Sequence, residues 1–93
     1  MKPGQLIHKN IRISGRVQGV GFRYSARNAA STTGIHGYIK NLPNGEVYIE
    51  AEGTSQQMEY FLSWCKEGPS RAKVSYLDIT DGMLSGFTEF TIR

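Results

Sequence analysis

An α+β sandwich is the fold class this sequence predicts, with elements in the order βαββαβ and a short final strand. Three observations predict it. Extended, alternating apolar runs fall at 7–14, 35–42, 46–52, 72–80 and 87–92. Stripes at helical spacing lie between them, in 22–33 and again from Thr54 to Gly68. Pro43-Asn44-Gly45 joins the two middle runs as a hairpin, because Asn and Gly tolerate the positive φ that a tight turn requires.

The first strand, "IHKNIRIS", carries Ile11 and Ile13 in alternation. The glycine-rich "GRVQGVGFR" (15–23) follows and reads as a flexible loop opening a helix. In that helix, "FRYSARNAASTT", residues Phe22, Ala26, Ala29, Ala30 and Thr33 share one face, and Gly34 stands just past the end. "IHGYIKNL" is the second strand. "EVYIEAE" is the third, with Val47, Ile49 and Ala51 on one face and Glu46, Tyr48, Glu50 and Glu52 on the other. Thr54 and Gln57 have the spacing of a capping box for the second helix. Met58, Phe61, Leu62 and Cys65 form its buried stripe, and Gly68-Pro69 ends it. "AKVSYLDIT" is the fourth strand, Asp81-Gly82 turns the chain, and "FTEFTI" closes it. Right-handed crossovers then place both helices on one face of an antiparallel sheet, the ferredoxin-like sandwich. That fold hosts many functions and decides none of them.

The 93 residues make one domain, 1–93. No apolar run approaches the roughly 18 residues that span a membrane. The amino-terminal stretch has no apolar signal core, so a cytoplasmic protein is expected. Its single cysteine, Cys65, excludes an internal disulfide and a multi-cysteine zinc site. Cys65 reads as a packed, inert thiol. His8 and His36 read as strand or edge residues, too scattered for a metal site, so no metal and no cofactor are expected. Charge is uneven along the chain. The first 45 residues carry seven Lys or Arg and no acid, whereas all eight acids lie in the remainder. Such asymmetry points to an anionic partner near the first half.

The glycine loop suits such a partner. Glycines let successive backbone N–H groups turn toward one point, and the helix that follows adds its unpaired amides and positive dipole end. Arg23 projects from its first turn with a planar guanidinium able to grip two phosphate oxygens. Neither the Walker loop nor the dinucleotide loop matches, because Phe22 follows Gly21 and Tyr24 replaces the third glycine.

Three stretches together resemble the acylphosphatase family: "GRVQGVGFRY" its phosphate loop, "GYIKNLPNGEVYIEAEG" its second motif and "GPSRAKV" its third. The resemblance runs from about Ile11 to the end of the chain. It implies hydrolysis of the anhydride between a carboxylate and a phosphate, without metal or cofactor. It makes Arg23 and Asn41 the catalytic pair. It gives the phosphoryl oxygens to Arg23 and to loop amides of Arg16, Val17, Gln18, Gly19, Val20 and Gly21. Inorganic phosphate is then product and inhibitor, and a monomer is expected. In some members the terminal carboxylate orients the catalytic arginine, a role left open for Arg93. Departures are small: Lys40 where arginine is common, Asn-Gly for Asp-Gly in the hairpin, and Ser25 where bulkier residues occur. Ser14 reads as a strand-end residue and Ser25 as a helix-surface one, neither a nucleophile. Family domains also occur within larger hydrogenase-maturation proteins that handle carbamoyl phosphate. No zinc-finger cysteines follow here, so a free-standing enzyme is expected. An RNA-binding module shares the element order, but carboxylates on the outer face of the third strand repel a phosphate backbone, and no nucleic acid is expected.

Overall fold

Alternation in the strands and helical spacing between them sort the apolar side chains onto one side of a sheet. The computed structural model describes residues 4–93. Strand β1 (Leu6–Arg16) leads to helix α1 (Phe22–Thr33), then strands β2 (His36–Asn41) and β3 (Val47–Thr54). Helix α2 (Ser55–Glu67), strand β4 (Lys73–Gly82) and strand β5 (Phe90–Ile92) complete the order. The sheet order is β4-β1-β3-β2-β5. Its first four strands pair antiparallel, and β5 adds to β2 in parallel, which makes the sheet mixed.

The core forms where the sheet meets the helices. Ile11 and Ile13 of β1, Val47, Ile49 and Ala51 of β3, and Ile39 of β2 are fully buried. Phe22, Ala26 and Ala30 face them from α1, and Met58, Phe61 and Cys65 from α2. Aromatic edges join the elements, with the centroids of Phe22 of α1 and Trp64 of α2 5.3 Å apart and those of Phe61 of α2 and Phe90 of β5 5.9 Å apart. Burial pushes the Cys65 thiol well above its ordinary range, which suits a packed, unreactive group. The capping box is present: Thr54 Oγ1 accepts from the Gln57 amide at 3.2 Å, and Gln57 Oε1 accepts from the Thr54 amide at 2.9 Å.

Four boundaries and faces differ from the sequence expectation. First, β1 runs through Gly15 and Arg16, with a bulge between Ser14 and Gly15 against β4. Gly15 adopts φ 122°, and a Cβ there would lie 2.2 Å from the Lys73 carbonyl oxygen. Glycine alone lets the strand bulge at this point and still pair. Second, Asp81-Gly82 is not a turn but the end of β4. The early start of β1 supplies partners, pairing His8 with Gly82 and Lys9 with Asp81, and the Lys9 and Asp81 side chains form an ion pair.

Third, Glu52 is buried rather than on the open outer face. The chain between β4 and β5 lies over it, and the amides of Ser85, Gly86 and Phe87 donate to its carboxylate at 2.5, 3.1 and 3.1 Å. Fourth, the last strand is only Phe90–Ile92, and Phe87, where the expected strand began, gives its amide to the Glu52 carboxylate instead of a ladder. His8 is a strand residue, buried, and donates from Nδ1 to Glu52 at 2.6 Å. His36 is exposed at the start of β2.

Candidate active site

The glycine loop is anchored, not floppy. Val17 and Val20 send their side chains into the core. Between them Gln18 donates from Nε2 to the carbonyl oxygens of Leu42 at 2.8 Å and Glu46 at 2.9 Å. These bonds tie the loop to the hairpin between β2 and β3. Sequence reasoning gave Gln18 only a backbone role; a lone amide among glycines and valines was the available signal. The hairpin is itself fixed. The Leu42 amide donates to Glu46 O at 2.8 Å and the Gly45 amide to Leu42 O at 3.1 Å. Ser14 donates its hydroxyl to Glu46 Oε2 at 2.8 Å, and Asn44 donates to Glu46 Oε1 at 2.9 Å. The bonds from Asn44 and Ser14 hold the Glu46 carboxyl below its ordinary range.

Gly21 caps α1 in the left-handed conformation at φ 78°, with no side chain bonded to the helix end. The Ser25 amide donates to Gly21 O at 3.1 Å as the helix begins. The first-turn amides ahead of it have no intrahelical partner, and no acidic residue in that turn offsets the positive dipole end. Phe22, buried against Trp64, fixes the helix start, and half-buried Arg23 follows it.

Loop, helix start and the end of β2 enclose a cavity of ≈ 190 Å³ lined by Val17, Gly19, Gly21, Phe22, Arg23, Tyr24 and Asn41. Arg23 and Asn41 therefore meet in one cavity, although 18 residues separate them in the chain. The carboxamide oxygen of Asn41 is buried and has no hydrogen-bond partner, the one such side-chain atom among the described residues. Of the other loop residues, Arg16, Gln18 and Val20 do not line the cavity: Arg16 ends β1, exposed, while Gln18 and Val20 face the hairpin and the core. Phe22 and Tyr24 line it too, although the sequence marks Phe22 only as a helix-face residue and Tyr24 only as standing where a third glycine would.

The chemistry available is specific. An arginine is cationic at any ordinary pH and offers planar donors to an anion. An unpartnered buried acceptor is costly unless something donates to it in the working state. Among the described residues, no group of three or more His, Cys, Asp or Glu side chains comes together that could hold a metal ion. Arg23 is absent from the ion pairs of the described residues. Arg93 bonds its amide to Ile39 O at 2.8 Å and lays its guanidinium 3.8 Å from the Tyr38 ring centroid.

The acylphosphatase family model matches residues 9–92. The acylphosphatase of Methylococcus capsulatus is 42% identical over 84 residues, covering 89% of this chain and 91% of that one. That of Archaeoglobus fulgidus is 42% identical over 87 residues, covering 94% and 98%. Among solved structures, an acylphosphatase from Bacillus subtilis superposes with a TM-score of 0.91 at 36% identity, covering 96% of this chain and 99% of that one. The fold also matches part of full-length HypF in a phosphate- and nucleotide-bound form, with a TM-score of 0.87 at 28% identity, over 99% of this chain but 12% of that one. The cradle of loop, arginine and asparagine thus sits in a chain that matches acylphosphatases over nearly its whole length, and the chain belongs to the acylphosphatase family.

Proposed function

We propose that this chain is a metal-independent hydrolase that splits acyl phosphates into a carboxylate and inorganic phosphate. The observation that carries this reading is Asn41, whose buried carboxamide oxygen lacks a partner and belongs to a residue lining the same cavity as Arg23. Division of labour follows from the groups. Arg23 and the loop amides between Arg16 and Phe22 grip the phosphoryl oxygens. Asn41 cannot act as a base, because an amide has no useful pKa. Its carbonyl oxygen instead accepts a hydrogen from a water and fixes that water in line with phosphorus.

Water then attacks phosphorus while the phosphorus–oxygen bond to the acyl group breaks. The bonding pair leaves on the acyl oxygen, which becomes the carboxylate. The proton of the attacking water passes to a phosphoryl oxygen, giving inorganic phosphate. A carboxylate is a good leaving group, so the transition state is loose and calls mainly for position and charge stabilisation. That is why a site without a nucleophilic side chain suffices. The same reading takes the chain as a cytoplasmic monomer that works without cofactor or nucleic acid and is inhibited by its product, phosphate.

The test is release of benzoate and phosphate from benzoyl phosphate with and without a chelator. Equal rates in both conditions support a metal-free hydrolase. Loss of activity on chelation removes the metal-free mechanism, and inactivity throughout removes the enzyme reading.

A further inference from the structure

The cavity at ≈ 190 Å³ is smaller than the roughly 300–1,000 Å³ of pockets that enclose a whole small molecule. It accommodates the phosphoryl end of a substrate, and the acyl body must lie across its rim. Tyr24 lines the cavity from α1 and is 64% exposed. The guanidinium of Arg27 lies over the Tyr24 ring, 5.3 Å from its centroid. Arg27 in turn lines a groove of ≈ 510 Å³ together with Asn28, Ser31, His36 and Glu89. Tyr24 lines the small cavity and Arg27 the larger groove, so the contact between these two side chains links the two.

Charge along this path is positive near the site. Arg23 and Arg27 are four residues apart on α1 and so share a face. Neither is among the ion pairs of the described residues, and Glu89, the acid lining the groove, is not paired with Arg27. Contact with the Tyr24 ring restrains the Arg27 side chain, so less of its freedom is lost when it meets an anion.

We propose that Tyr24 and Arg27 form the acyl subsite, favouring acyl phosphates whose apolar body ends in a second negative charge. This rests on the acyl phosphate reading of the neighbouring cavity. The ring flanks the apolar body and the guanidinium meets the distal charge. Because Arg27 is exposed, the preference is modest and screened by salt.

Benzoyl phosphate and 4-carboxybenzoyl phosphate differ only by a distal carboxylate, so the ratio of their kcat/KM values reads the subsite directly. At low ionic strength the wild-type chain should favour the carboxylated compound by about 3–5-fold, the size of an exposed charge pair. Molar salt should bring the ratio to near one. Arg27→Gln should abolish the preference, Arg27→Lys should keep part of it, and Arg27→Glu should reverse it. A wild-type ratio of one, or a preference that survives Arg27→Gln, overturns the subsite. Hydrolysis of both compounds without discrimination removes only this inference, whereas hydrolysis of neither removes the acyl phosphate reading with it.

Discussion

Gln18 donates its side-chain amide to the carbonyl oxygen of Leu42 at 2.8 Å, joining the middle of the glycine loop to the residue that follows Asn41. The glycine loop and the hairpin that follows Asn41 are thus tied directly to each other. Neither is on a tether of its own. The second bond, to Glu46 O at 2.9 Å, braces the other strand of the same hairpin.

Gln18→Ala should therefore weaken the site without dismantling the fold. Both carbonyls keep a backbone partner, so the expected stability loss is about 1–2 kcal/mol, the net value of two hydrogen bonds. The kcat/KM for benzoyl phosphate should fall about 10-fold, since small misplacements of a site are costly to rate. Urea unfolding and steady-state kinetics on one preparation measure the two effects. Full activity in Gln18→Ala would show that the loop holds its shape unaided.

Gly15→Ala tests the bulge that aims the loop. The added methyl would sit 2.2 Å from Lys73 O at a φ of 122° that suits glycine. Strain at such positions costs about 1–3 kcal/mol, and the clash adds to it, so a loss of at least about 2 kcal/mol is expected in urea unfolding. Unchanged stability would mean that β1 and β4 part easily at this end.

His8 and Glu52 make stability depend on pH. Burial disfavours the charged imidazolium, but hydrogen bonds to Glu52 and Asn10 and the charges of Glu52 and Glu50 prevail, raising His8 above its ordinary 6.5. Burial likewise opposes the Glu52 carboxylate, and His8 with the Ser85 and Phe87 amides outweighs it, lowering Glu52 below its ordinary 4.5. A raised histidine contributes stability that is complete below 6.5 and is lost as pH climbs through its folded value. A lowered carboxyl contributes above 4.5 and is lost as pH falls through its folded value. Unfolding free energy should thus peak between these two ordinary values and decline toward alkaline pH. His8→Gln should flatten the alkaline decline and cost about 3 kcal/mol at the peak, the low end for breaking a buried pair, because three amides still hold Glu52. Denaturation across pH on both proteins checks this, and parallel profiles would rule His8 out as the source.

Arg23→Gln should remove the cationic grip on the phosphoryl group. Loss of one preorganised donor typically costs about 10²–10³ in rate, and loss of a charged one should reach at least the upper end. Phosphate should also cease to inhibit the residual activity or to bind in direct titration. Retained phosphate affinity would assign the anion to the loop amides alone.

Helix α2 and the β2–β3 hairpin were the most legible elements because each carried two agreeing signals. Helix α2 had both its apolar stripe and the Thr54–Gln57 cap, and the β2–β3 hairpin had both alternation and Asn-Gly. Arg23 was marked by the glycine loop and Asn41 only by the motif resemblance, and the structure brings both to one cavity. What escaped depended on partners distant in sequence. Glu52 alternates like an outward residue, and only the chain at 85–87, 33 to 35 residues later, buries it. Asp81-Gly82 looks like a turn because its strand partners, His8 and Lys9, lie some 70 residues earlier. The tie from Gln18 to the hairpin is silent for the same reason, since a glutamine in a loop has no local mark of what it will bond.

Separation of anion binding from water positioning is measured most directly by the inhibition constant of inorganic phosphate on Asn41→Ala. With the carboxamide gone and Arg23 and the loop intact, turnover of benzoyl phosphate should drop by about 10²–10³, as for other lost preorganised groups. Phosphate affinity, from inhibition of the residual rate or from titration, should stay at the wild-type value. A loss of phosphate affinity in Asn41→Ala comparable to that in Arg23→Gln would contradict this division and place Asn41 on the phosphoryl group itself.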